Sequence, residues 1–351
     1  MAKAKVRKVS IYTISRELGV SPATVSRVLN NHPAVSPEVR AQVQEVAERH
    51  NYKPRIVSSR VANLCVLVQQ YDGHSLDFGA FLAQTLEGIA EYCRHEDLEM
   101  SVYSAHLRDL NEADVVRELR RRSADGAVVL RASDRSGYLN QLDEQRFPYF
   151  CLFANDGRMS DRLLSIDDEK LAYEAINHLI ELGHRRIAIL LGATDRAAIH
   201  RRLAGYGRAF GEHGLEQDER LVIAADLKHH HGGLQFGFEA VEALLAEGVE
   251  FTAVFTTCEF SERGVLAGLY RHRVAVPEEV SVVGFDDFPE TAYLCPPLTT
   301  VRVPYLQFGY EAARQVHRLV RGLEILVPPS AETELRCELV VRESTGRARN
   351  C

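Results

Sequence analysis

Four side chains near the N-terminus are of the types, and at the spacing, that could read nucleic acid. Ala23, Thr24, Ser26 and Arg27 fall within Pro22–Leu29, a stretch whose apolar residues repeat at helical spacing. Arg27 can give two hydrogen bonds to a guanine edge and Ala23 can touch a thymine methyl, while the hydroxyls of Thr24 and Ser26 can bond phosphate or base edges. The amino end of a short helix adds free amides and a positive dipole, both suited to phosphate. The alternative is a small structural three-helix bundle whose polar face only meets water.

The elements that would position these residues are legible on either side. Ile11, Ile14 and Leu18 fall on one helical face, and Gly19 suits the left-handed position that ends a helix. Ser21 then offers an N-cap hydroxyl, and Pro22 fits the first helical position. Val25 and either Val28 or Leu29 turn inward. The Ser-Pro signal recurs at Ser36–Pro37 and starts a third helix with Val39, Val43, Val46 and Ala47 as its buried stripe, closed by Tyr52 and Pro54. Two helices joined by a tight turn, then a third, predict an all-α helix-turn-helix head.

Charge supports that division. Residues 1–60 hold 11 Lys or Arg against 4 Glu, a net +7, so with the whole chain at −7 the remainder carries −14. A basic head on an acidic body fits a phosphate-binding module joined to a domain that does not bind nucleic acid. Lys3, Lys5, Arg7 and Lys8 form a basic arm, suited to unspecific phosphate contact or simply solvated. The 351 residues allow two or three domains. No apolar run is long enough to span a bilayer and no signal peptide precedes the helices, so a cytoplasmic protein without a membrane partner is expected. The seven cysteines are scattered, without a CxxC pair, and read as reduced thiols rather than a disulfide framework.

From about residue 61 the pattern changes to short apolar runs alternating with amphipathic stretches. Strands are predicted at 64–68, around MSVYSA, at 126–130 and at 149–153, with helices around FLAQTLEGIAEYCRH and ADVVRELRRR between them. After a break near 154–162 a second series begins with the helix LAYEAINHLIEL. It continues through strands at 186–191, near LVIAA, TAVFTT and 281–285, separated by helices RLAGYGRAFGEHG, FGFEAVEALLAEG and SERGVLAGLYRH. Alternating β and α with Val/Ile-rich strands means parallel sheets covered on both faces. Two doubly wound subdomains are expected, with ligand between them at the carboxyl ends of the strands.

SPATVSRVLNNHPAVSPEVRAQVQEVAERHNYKP resembles the DNA-binding signature of the lac-repressor (LacI-type) family of bacterial transcription regulators. HLIELGHRRIAIL, RLAGYGRAF, PEEVSVVGFDDFPETAYLCPPLTTVRVP and LVVREST resemble that family's core motifs, in the same order and over nearly the whole chain. The resemblance implies a helix-turn-helix head with a short hinge over 1–60. It implies a periplasmic-binding-protein-like effector and dimerisation core over 61–351, with one subdomain at about 61–158 plus 304–327 and the other at about 159–303 plus 328–351. It implies a homodimer on a near-palindromic double-stranded operator, probed by a small, sugar-like effector that shifts the subdomains. No leucine-heptad helix follows LVVREST, so dimers are expected rather than tetramers. Base contacts fall on Pro22, Ala23, Thr24 and Arg27, and backbone contacts on Ser21, Ser26 and Asn30. Tyr12 and Tyr52 position the head, with packing the simpler explanation at Tyr52.

The chain departs from the family pattern in two places. The segment KPRIVSSRVANLCVLV is shorter than the usual hinge, and Val61 is the nearest counterpart of the leucine that wedges into the minor groove; alternatively Val61 lies just before the first core strand. In the effector pocket, Arg202 matches the family arginine and Asp286 the acid opposite it, a pair suited to hydroxyl-rich or zwitterionic ligands. Cys258 and Glu259 replace the usual Asn-Asp, Phe153 stands for a polar residue, and Val303 for a glutamine. Phe153 could stack on a sugar face; equally, the pocket takes an unusual ligand or none. Asp286 and Asp287 could also be structural loop caps.

No nucleophile elbow, Walker loop or HExxH motif is present, so neither a catalytic residue nor a cofactor is expected. The glycines of G205–G211 follow a dinucleotide fingerprint only loosely and fall inside a helix. Adjacent His229, His230 and His231 are read as a solvated loop rather than a metal site. An enzyme, or a sugar-binding protein whose N-terminal bundle reads no DNA, is the competing class.

Overall fold

Caps delimit the helices of the N-terminal unit. Helices α1 (Ile11–Leu18), α2 (Pro22–Leu29) and α3 (Pro37–Arg49) begin at Ser10, Ser21 and Ser36. The amide of Thr24 donates to Ser21 Oγ at 3.0 Å, and that of Val39 to Ser36 Oγ at 3.4 Å. Between α1 and α2, Gly19 adopts φ +66° and donates its amide to the Ser15 carbonyl, a conformation that a side chain would strain. Ile14, Val25, Val28, Val43, Val46 and Ala47 form the core, so Val28 turns inward on α2. Glu17 ties α1 to the end of α3 through Arg49 (3.0 Å) and His50 (2.6 Å). These pairs are partly solvated and contribute little.

The structure is a computed structural model that describes residues 10–29, 35–50, 61–70, 79–133, 135–153, 162–192, 197–225, 233–258, 260–326 and 335–349. The chain divides into two units, Met1–Val61 and Ala62–Cys351.

In the second unit, strands β1 (Asn63–Gln70), β2 (Glu99–His106), β3 (Gly126–Leu130), β4 (Tyr149–Leu152) and β5 (Leu163–Leu164) form a parallel sheet ordered β2-β1-β3-β4-β5. Helices α4 (Ala80–His95), α5 (Leu107–Glu112), α6 (Val115–Arg121) and α7 (Tyr138–Glu144) lie between its strands in sequence. The second series contributes helices α8 (Asp168–Glu181), α9 (Ala197–Glu212), α10 (Leu234–Ala246) and α11 (Ser261–Arg271). Its strands are β6 (Ile187–Leu191), β7 (Val222–Ala224), β8 (Ala253–Thr256), β9 (Ser281–Phe285), β10 (Thr299–Arg302) and β11 (Glu338–Val340). Their order is β11-β10-β9-β8-β6-β7, parallel except for β10 against β11. The first strand of each series thus lies between the second and third, which creates a switch point at β1/β3 and another at β6/β8, where adjacent loops diverge and leave a crevice.

Two details depart from the sequence pattern. β5 pairs with β4, so the first sheet runs to Leu164, beyond the break at about 158. The return at 304–327 is a long amphipathic helix, α12 (Tyr305–Val320), which packs on α4 and on β4 of the first sheet.

One continuous apolar core runs through both sheets, from Val66, Val128 and Phe150 of the first to Ile189, Phe255 and Val283 of the second, with Phe308, Ala312 and Val316 of α12. The outer faces carry separate cores beneath α6–α7 and α10–α11. The helix pairs cross closely: a methyl at Gly309 would collide with the Thr85 carbonyl of α4, and one at Gly205 of α9 with the Glu169 carbonyl of α8. The second crossing lays the first turn of α8 on α9 and so builds the site below.

Candidate functional site

On the head, α2 presents one open face. Ala23 and Arg27, four residues apart and therefore on the same side of the helix, are exposed, as is Ser21 before it. Pro22 and Thr24 are half-buried at its amino end, and the Thr24 and Ser21 hydroxyls are 2.8 Å apart. Tyr12, on α1, is 63% exposed, far more than packing alone would leave a tyrosine. Ser26 lies on α2, but its side chain is outside the described part, and Asn30 and Tyr52 lie outside the described residues. Val61 is half-buried and non-helical, two residues before β1.

In the core, Arg202 projects from α9 to the switch point. Its side chain is almost wholly enclosed: Nε donates to Asp168 Oδ1 at 2.9 Å and Nη1 to the Thr257 carbonyl, at the end of β8, at 2.6 Å. The guanidinium lies 3.4 Å over the Phe285 ring, a desolvated cation–π contact. Arg201 Nη2 holds the other Asp168 oxygen at 2.7 Å. The acid that pairs with Arg202 is therefore Asp168, in the first turn of α8, rather than Asp286. Burial works against the Arg202 charge, but the carboxylates of Asp168 and Asp286 outweigh it and hold the group firmly protonated.

Asp286 follows β9 in a left-handed conformation, φ +79°, and is 7% exposed. The Tyr305 hydroxyl, at the start of α12, donates to its Oδ1 at 2.5 Å. Burial pushes the Asp286 carboxyl above its ordinary range, with Arg202 and Tyr305 pulling the other way. The Tyr305 hydroxyl is pushed well up by burial and by Asp286. Asp287 takes the structural role: it pairs with Arg342 at 2.7 Å and Arg302 at 2.8 Å, and accepts from Thr291.

Aromatic rings line the same region. Phe153, at φ +52° after β4, packs edge-on against Tyr305 at 5.3 Å, and Phe288 stacks on Tyr305 at 6.3 Å. Phe260 stands 6.4 Å from Phe288. Cys258, one residue past Thr257, bonds Ser261 Oγ, and burial raises its thiol pKa, so it is held protonated. Cys337 is pushed up to about 12 by burial and by Asp168 and Asp286. Neither thiol has the electropositive, low-pKa setting of a nucleophile.

The structure thus gathers Phe153, Arg202, Cys258 and Asp286 at strand ends of the core, and adds Asp168, Tyr305 and Phe288. Asp168 was signalled only by the Asp-Asp pair that opens α8, and Tyr305 only by its place after Pro304. Val303 is buried. Glu259 and His229–His231 lie outside the described residues, and among those described no group of three or more His, Cys, Asp or Glu could hold a metal ion. No described helix is long and apolar enough to cross a membrane.

Comparison with known proteins adds independent findings. Residues 10–55 match the family described as bacterial regulatory proteins, lacI family, and residues 176–345 match a periplasmic binding protein-like domain. Catabolite control protein A of Priestia megaterium is 28% identical over 312 residues, 87% of this chain and 91% of that protein. The solved transcriptional regulator CelR–cellobiose complex superposes with a TM-score of 0.65 at 27% identity, over 96% of this chain and 100% of that one. The lac repressor dimer bound to operator and the anti-inducer ONPF gives 0.66 at 20% identity, over 97% and 100%. At that identity the likeness shows the fold: a helical head and two parallel-sheet subdomains.

Proposed function

We propose that the chain is a LacI-type bacterial transcription regulator, a cytoplasmic repressor that grips a palindromic operator as a homodimer and answers to a small effector in its core. Its relatives regulate transcription, which sets the enzyme and transport readings aside.

The observation that carries the reading is the open face of α2, where Ala23 and Arg27 stand exposed beyond a Gly19 turn in a head of net charge +7. In this reading Arg27 and Ala23 read base edges, with Pro22 and Thr24 beside them. Ser21, Ser26 and Asn30 meet the backbone, and Tyr12 and Tyr52 orient the head. Val61 belongs to the hinge, where a valine wedge would kink the operator less than a leucine. Arg202, Asp286, Phe153 and Cys258 line the effector cleft. The printed bonds of Arg202 engage Nε and Nη1, and the further N–H groups of its guanidinium are the donors offered to a ligand oxygen in this reading. The cellobiose held by CelR supports a sugar-like effector.

The test is selection of an operator from random DNA with the purified protein, repeated with a panel of sugars. A palindromic consensus whose affinity falls steeply with salt is expected, because phosphate contacts release counterions. Release or tightening by one compound gives the sign of regulation. A protein that selects no sequence overturns the reading.

A further inference from the structure

The buried charges of the cleft are balanced within the protein. Asp168 is 2% exposed and carries two arginines, Arg201 and Arg202; Asp286 supplies the second carboxylate. Two cations thus face two acids. Arg202 has its Nε on a carboxylate, its Nη1 on a carbonyl and its face on Phe285. An anion that docked on Arg202 would shed its hydration shell and meet a guanidinium whose charge Asp168 already offsets. Phe153, Tyr305 and Phe288 pack together on the Asp286 side of this pair, and ring faces repel negative charge while they accept flat C–H or heteroaromatic surfaces.

We propose that the cleft takes an uncharged ligand with one apolar face and a hydroxyl or amide edge, a glycoside or a nucleoside, and that Asp168 excludes phosphorylated and carboxylated analogues by neutralising Arg202 from within. The edge bonds Nη2 of Arg202 and the outer oxygen of Asp286, and the flat face rests on the aromatic wall. Asp168 is a selectivity residue that acts through the arginine rather than by touching the ligand. This inference rests on the effector reading above.

Matched pairs separate the two. Binding to the full-length protein is measured by calorimetry for neutral hexosides, disaccharides and nucleosides against the corresponding hexose phosphates, hexuronates and nucleoside monophosphates. The wild type is expected to bind the neutral member of a pair at least ten-fold more tightly, and Asp168→Asn to narrow that gap at least ten-fold by strengthening the anion. A purely structural role for Asp168 would weaken both members together and overturn its part. A wild type that prefers the anionic member overturns the charge argument and leaves the effector site standing, whether or not the variant folds. A wild type that binds neither series removes the effector reading itself and this inference with it, without touching the DNA-binding head.

Discussion

The Tyr305 hydroxyl and Asp286 Oδ1 are 2.5 Å apart and join the two halves of the core. Tyr305 begins the helix that packs on the first sheet, whereas Asp286 directly follows a strand of the second. Nothing in the local pattern of either segment demands the contact, yet both groups are buried and each would be costly without the other. A ligand that reaches Asp286 therefore competes with, or reinforces, a bond between the subdomains, which is a direct route from occupancy to subdomain position.

Tyr305→Phe removes the donor and keeps the ring. A hydrogen bond to a charged group is worth about 1.5–3 kcal/mol, so the urea midpoint of the core should fall accordingly. The effector response should change while operator affinity in the absence of effector stays close to wild type. A variant with unaltered midpoint and response would show that the bond is incidental.

Asp286 also sets a pH dependence. Burial raises its folded pKa above the ordinary 3.8. The folded state then holds the proton more tightly, so this group's contribution is fully present below the unfolded value and is lost as pH rises through the folded one. Asp286→Asn cannot lose a proton. Its stability relative to wild type should improve from pH 4 to pH 7, measured by urea unfolding at each pH. A difference that is flat in pH would count against the buried, ionising carboxyl.

Arg202→Ala should abolish the effector response and leave operator binding intact. Breaking a buried ion pair costs about 3–5 kcal/mol, and Arg201 still holds Asp168, so the lower end is expected. Combining Arg202→Ala with Asp168→Asn should cost less than the two separate losses added together, because the second change removes the stranded charge. Additive losses would mean that the two residues do not act as a pair.

On the head, Arg27→Ala should cost roughly 1–3 kcal/mol of base discrimination per half-site, read by titrating operators altered at single positions. Arg27 is exposed, so the thermal stability of the head should not move. Retained sequence preference would place base reading elsewhere on α2.

Gly309→Ala tests the helix crossing that seats Tyr305. The added methyl meets the Thr85 carbonyl on α4, and overpacking of this kind costs about 1–3 kcal/mol. Thermal unfolding of the variant, compared with Gly211→Ala on α9, where an added methyl meets nothing within 4 Å, separates the crossing from a simple change of backbone freedom.

The head could be read almost residue by residue from the chain, because caps, turn and inward stripe are all local. Gly19, Ser21 and Ser36 mark the ends, and the three-to-four-residue repeat marks the buried valines. The central strands of both sheets, β1, β3, β6, β8 and β9, were equally plain, since continuous Val/Ile runs belong to strands buried on both faces. Patterning missed the two-residue β5 and the late short strands β10 and β11, and it left α7 and α12 unremarked although Phe308, Ala312 and Val316 of α12 repeat at helical spacing. The family resemblance, rather than any local pattern, drew attention to Arg202 and Asp286, whose charges interact in the folded core. What only the tertiary structure decided is their partners. Asp168 lies 34 residues from Arg202 and reaches it because α8 crosses α9 over the bare backbone of Gly205; Tyr305 lies 19 residues from Asp286 and meets it because the chain passes from one sheet to the other between them. A carboxylate's place in the chain does not say which cation it will neutralise, because that choice depends on how closely two helices can approach.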